Sequence, residues 1–176
     1  MDVFIKSSQS SDISEAVKEV TDGLESPKLL FFFAPTTTFK EISESFNNKY
    51  PKCQIIGVSS HCVYKNDKVF INSLSVTAFL DDIDVAAGFI PEITRYPLKY
   101  SPDIEINLRK IPDYDKSNEN IICLEYTTAY SYSEELVLQT LDTICSKYSI
   151  PIAGGTAGTN KTKKDFISYI YFQGQI

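Results

Sequence analysis

The run Leu29-Leu-Phe-Phe-Phe-Ala34 constrains this chain more than any other stretch. Six consecutive apolar residues leave no polar position to face water on either side. With Pro27 before it and Pro35 after it, the run is also too short for a helix. It therefore predicts a strand buried on both faces, the habit of strands in a parallel sheet covered by helices.

The flanking segments supply such helices. Val3–Lys6 reads as a short opening strand, and Asp12-Ile-Ser-Glu15 has the spacing of a capping box. From it Ile13, Ala16, Val17, Val20 and Leu24 fall on one helical face, closed by Gly23 and Pro27. Thr38 and Glu41 repeat the capping spacing, and Phe39, Ile42, Phe46 and Tyr50 form a second apolar stripe, stopped by Pro51. Cys53–Val58 is the next strand. Val69–Leu80 and Ile83–Ile90 alternate and predict an antiparallel hairpin turning at Asp81-Asp82, with Phe70, Leu74, Val76, Ala78 and Leu80 on one face. Pro91–Glu119 holds four prolines and predicts a long connection with one short strand at Ile104, Ile106 and Leu108. Asn120–Tyr126 is read as a buried strand. A helix follows with Val137, Leu138, Leu141, Ile144, Cys145 and Tyr148 inward, and the strand Phe166–Phe172 comes last. The order implies a mixed α/β fold, largely a sheet of parallel and antiparallel strands under about three helices. At 176 residues it is expected to be a single domain.

Composition removes several function classes. A net charge of −6 repels a phosphate backbone, so no nucleic-acid partner is expected. Cys53, Cys62, Cys123 and Cys145 are widely spaced and share the chain with one histidine, which does not make a zinc site of usual spacing. Neither a basic-apolar leader nor a run of about 18 apolar residues is present, so membrane insertion is not expected and a cytoplasmic location is. No cofactor is expected.

The candidate site residues lie in three polar corners at strand ends. The first is Ser59-Ser60-His61, where two hydroxyls and the sole imidazole end a buried strand; in open α/β sheets, ligands bind at such ends. Its hydroxyls suit a carboxylate or amide, and equally a simple turn. His61 beside Cys62 or Ser60 also raises a nucleophile–base pair, although adjacent strand residues point to opposite faces. The second corner is Thr127-Thr128-Ala129-Tyr130-Ser131 before a helix N-terminus whose N–H groups favour an anion; Ser131 with Glu134 reads more readily as a capping box, and Tyr130 and Tyr132 either wall a pocket or shield the core. The third is Gly154-Gly155-Thr156-Ala157-Gly158, which holds three of the chain's seven glycines. It lacks the Gly-Lys-Ser/Thr of a phosphate loop, and a strand rather than a helix follows it. Glycines there let a backbone approach closely, either a ligand or a neighbouring strand.

Taken together, Cys53-Gln-Ile-Ile-Gly57-Val-Ser59-Ser60, Ile121–Tyr126 with its Glu-Glu-Leu helix, and Ile150-Pro-Ile-Ala-Gly-Gly-Thr-Ala-Gly158 followed by Phe166–Gly174 resemble the N-terminal domain of the FIST family. The resemblance is collinear over most of the chain. It implies a non-enzymatic cytosolic sensory domain of a signal-transduction protein, binding a small molecule such as an amino acid. It also implies a C-terminal FIST domain or a signalling output module as partner, with that second domain expected to be missing from this chain. Ser59, Ser60, His61, Thr127, Thr128, Gly154, Gly155, Thr156 and Gly158 are the ligand-binding candidates. The chain departs from the family pattern at His61-Cys62, where Ala-Gly is usual, at Thr159, where Asp is usual, and in Pro91–Glu119, where an Ala-rich helix is common. A Cys- or Ser-dependent hydrolase and a ligand-free interaction module are the alternatives.

Overall fold

The computed structural model describes residues 2–65, 67–91, 93–116, 120–129, 133–159 and 167–176. In chain order its elements are β1 (Val3–Ser8), α1 (Ile13–Thr21), β2 (Leu29–Ala34), α2 (Phe39–Lys49), β3 (Gln54–Ser59), β4 (Cys62–Lys65), β5 (Lys68–Ile71) and β6 (Leu74–Phe79). After a 3-10 turn at Pro97–Tyr100 come α3 (Ser101–Leu108), β7 (Cys123–Thr128), α4 (Glu134–Cys145), β8 (Ile152–Ala157) and β9 (Ile170–Phe172). The fold is mixed α/β. It divides into two compact units, Met1–Ile83 with Ala157–Ile176, and Asp84–Thr156.

The first unit is built on a five-stranded sheet ordered β1-β6-β2-β3-β9. β2 runs parallel to β3, Leu29 beside Gln54 and Ala34 beside Ser59, while β6 and β9 pair antiparallel with β2 and β3 respectively. The all-apolar run thus lies between two strands and is buried along nearly its whole length, as its composition predicts. Phe32, Phe39 and Phe46 are fully buried, and the Phe32 ring centroid stands 5.3 Å from that of Phe39 and 5.1 Å from that of Phe46. Burial of each such ring stabilises the fold by about 1.5–3 kcal/mol. Gly57 on β3 makes the room: a Cβ there would fall 2.1 Å from the tip of the Phe32 ring.

α1 begins as its capping spacing predicts, with the Glu15 N–H donating to Asp12 Oδ1 at 2.8 Å. The return arm runs through a serine. Ser10 Oγ donates to Glu15 Oε2 and accepts the Asp12 N–H. α2 starts at the expected place without its expected cap, because the Thr38 hydroxyl turns back toward the Pro35 carbonyl at 3.5 Å.

Two sequence expectations fail here. Ile83–Ile90 forms no strand, and the hairpin found is β4 with β5, Cys62 opposite Ile71. The Val69–Leu80 run breaks at Asn72, whose φ is +54°. Leu74, Val76 and Ala78 do face the core, but both edges of β6 are occupied, one by β1 and the other by β2. No edge is left for residues 83–90.

The second unit has its own small cluster of Ile93, Val137 and Leu141, with Ile104 and Ile152 packed against it. Ile104, Ile106 and Leu108 lie on α3 rather than on a strand. Three apolar residues spaced by two fit either element, and Pro102 in the first turn suits a helix start. β7 is half-buried rather than fully buried, and Leu138 on α4 faces outward at 44% exposure. β7 and β8 form a two-stranded sheet. Cys123 N–H donates to the Pro151 carbonyl and Ile150 N–H to the Cys145 carbonyl, so one dipeptide joins the start of β7 to the end of α4.

Candidate functional site

In the first unit, parallel pairing brings the carboxyl ends of β2 and β3 together, the general place for ligands in such sheets. Ser59 is fully buried there. Its hydroxyl donates to the Gly158 carbonyl at 2.7 Å and accepts the Tyr169 N–H at 2.8 Å. Its own carbonyl accepts the Gly158 N–H at 2.7 Å, and its N–H donates to the Tyr169 carbonyl at 2.9 Å. Ser59 is thus a clamp between two chain segments. Ser60 Oγ donates to the Cys62 carbonyl at 2.7 Å, so its proton is committed to a turn. His61 is exposed, and its carbonyl accepts the Asn72 N–H. A Cβ on Gly158 would stand 3.4 Å from the His61 backbone nitrogen. The structure therefore gathers Ser59, Ser60, His61 and Gly158 into one corner.

Beyond the end of β2 lies a cleft of about 60 Å³, lined by Thr36, Thr37, Ile167 and Tyr169. The Tyr169 ring stacks on Phe39 at 5.5 Å, and Lys40 Nζ lies 5.5 Å from its centroid. These residues were not among the sequence candidates. Thr36 and Thr37 read there only as a helix start, and Tyr169 as part of a last strand.

The second unit gathers Thr127, Thr128, Gly154, Gly155 and Thr156 on β7 and β8. A Cβ at Gly154 would fall 1.8 Å from the Glu125 carbonyl oxygen, so the backbone that approaches this glycine is β7. Gly155 has open space, and neither it nor Gly154 nor Gly158 has positive φ. Thr156 Oγ1 donates to Glu134 Oε1 at 3.4 Å. Thr127 is 5% exposed, and among the described residues neither its Oγ1 nor the buried Glu125 Oε2 has a hydrogen-bond partner. Burial first, and then the charge of Glu134, push the Glu125 carboxyl above the usual range. Sequence reasoning passed over Glu125, although a lone carboxylate inside an apolar strand was the signal. Glu134 it read only as a cap. Tyr130, Ser131 and Tyr132, expected as walls and cap, lie outside the described residues; the N-cap position of α4 is Ser133.

Cys53, Cys123 and Cys145 pack as small hydrophobes. Burial pushes the Cys53 thiol up to about 12, and the hydrogen bond with Cys145, with partial burial, also raises Cys123. Among the described residues no cluster of three or more His, Cys, Asp or Glu is placed to hold a metal ion, and no helix is long and apolar enough to cross a membrane.

A family model, the FIST N domain, matches residues 28–176, from the last residue before β2 through β9. The chain belongs to this family. Membership makes it a sensory domain of signal transduction. No curated protein matches the chain. Both candidate corners fall within the matched span, whereas β1 and α1 precede it.

Proposed function

We propose that this FIST N domain is a non-enzymatic sensor that binds a small polar metabolite, an amino acid or a molecule of similar size, in the cytoplasm. Binding would pass its signal to a companion FIST domain or an output module, by favouring one of two states through differential affinity. The observation that carries the reading is Thr127. Its hydroxyl is buried at the end of β7 and has no partner, at a position the sequence marks as a strand-end corner. A buried hydroxyl without a hydrogen bond costs about 1–3 kcal/mol, a cost that a bound polar molecule would relieve. Family membership over most of the chain points the same way.

The hydrolase alternative has less support. The Ser60 proton goes to a carbonyl rather than to an imidazole, and His61 is exposed. Thermal-shift measurement against amino acids, small organic acids and amines tests the sensor reading. A ligand at a hundred times its Kd should add about 2.7 kcal/mol to stability. A flat response across the whole library, repeated with a companion domain attached, would sink it.

A further inference from the structure

Glu125 sits in the middle of β7, on the same face as Thr127, because strand residues two apart share a face. Its Oε2 and the Thr127 Oγ1 are both buried and both lack a partner. Glu134 stands in the first turn of α4, where a helix N-terminus favours negative charge. It is tied to β8 through the Thr156 hydroxyl, and it lies close enough to Glu125 for their charges to repel. Among the described residues no lysine or arginine forms an ion pair with either carboxylate.

Two carboxylates and an unpartnered hydroxyl, with no cation beside them among the described residues, make an arrangement that is costly in isolation. What would relieve it carries positive charge. Glu125 Oε2, Thr127 Oγ1 and a Glu134 oxygen are three acceptors, and one –NH₃⁺ has three donors. Calcium takes six to eight oxygens and magnesium a near-ideal octahedron, more than these side chains present. The chain's net charge of −6 also draws small cations toward it. A ligand carboxylate, by contrast, would meet two like charges here.

We infer that Glu125, Thr127 and Glu134 form the subsite for the primary ammonium group of a small cationic amine, one without a carboxylate beside its nitrogen. The inference rests on the sensor reading above and narrows its ligand.

Isothermal titration of the full chain with putrescine and ethanolamine, each beside its N-acetylated form, tests it. Glycine and calcium chloride serve as the zwitterion and the metal. The amines bind and the acetylated forms do not; Glu125→Gln weakens the amines at least tenfold, and Thr127→Val weakens them several-fold. Circular dichroism and cooperative unfolding confirm that each variant is folded. If Glu125→Gln does not fold, Glu134→Gln, at a partly exposed helix position, reads the same loss. Calcium or glycine binding in place of the amines overturns the ammonium assignment. A metabolite that binds wild type and Glu125→Gln equally overturns this subsite and leaves the sensor reading standing. A chain that binds nothing in this set or in the wider library loses both.

Discussion

In the unit formed by Met1–Ile83 with Ala157–Ile176, the hydroxyls of Ser8, Thr21, Ser43, Ser59 and Ser73 are buried, and each has a hydrogen-bond partner. In the unit Asp84–Thr156 the buried Thr140 hydroxyl donates to the Leu136 carbonyl, but Ser101 Oγ, Glu125 Oε2 and Thr127 Oγ1 are buried with no partner among the described residues. The apolar cores differ in the same sense. One is a broad cluster around Phe32; the other has three buried members. A region whose polar groups satisfy one another gains rigidity and has little left to offer a ligand. A region that leaves acceptors unfilled is less stable alone and more responsive to what enters it.

That contrast is testable by substitution. Phe32→Ala should cost about 3–5 kcal/mol in urea denaturation, because its aromatic neighbours Phe39, Phe46 and Tyr171 cannot collapse into the space. Leu141→Ala in the smaller cluster should cost nearer 2 kcal/mol. Equal losses would mean that the two cores are equally consolidated. Gly154→Ala should cost about 2–3 kcal/mol, since its Cβ meets main chain that has no rotamer to change, while Gly155→Ala should stay within about 0.5 kcal/mol. The sharpest pair comes next. Ser59→Ala strands the Gly158 carbonyl and the Tyr169 N–H and should destabilise by about 1–2 kcal/mol. Thr127→Val removes a hydroxyl that bonds to nothing and should be neutral or stabilising by up to about 1 kcal/mol. A loss on Thr127→Val equal to that on Ser59→Ala would break the contrast.

The smallest effect concerns pH. The Glu125 carboxyl holds its proton to higher pH in the folded chain than the ordinary 4.5 of an unfolded one. Its stabilising contribution is therefore complete below about 4.5 and fades as pH rises through the raised folded value. Glu125→Gln lacks this term, so its stability relative to wild type should grow from pH 4 toward pH 7. A constant difference across that range would show that burial does not perturb the carboxyl.

What the sequence made legible followed from local chemistry. Leu29–Ala34 admits only a doubly buried strand, and the apolar stripes of α1 and α2 admit only one inward face. Partner choice was not legible. β6 was recognisable as a strand, but that β1 and β2 would take both its edges depends on segments more than 40 residues away. α3 was missed because three alternating apolar residues are too few to separate a period of 2 from one of 3.6. At the corners, Gly154 and Thr127 were marked as candidates from type and position, whereas the partners that make Ser59 a clamp lie 99 and 110 residues on. Glu125 was visible and unread.

The same clamp has a consequence during synthesis. Ser59 and β3 acquire their last neighbours only when Tyr169 and β9 emerge, 110 residues later. At about 5–20 residues per second, that leaves β3 with an open edge for roughly 5–20 s. Through that interval a sheet rich in phenylalanine has an unfinished side, with its main-chain donors and acceptors free to pair with another nascent chain. Yield in the cell should therefore respond to chaperone supply and translation rate more steeply than the equilibrium stability of the finished domain would suggest.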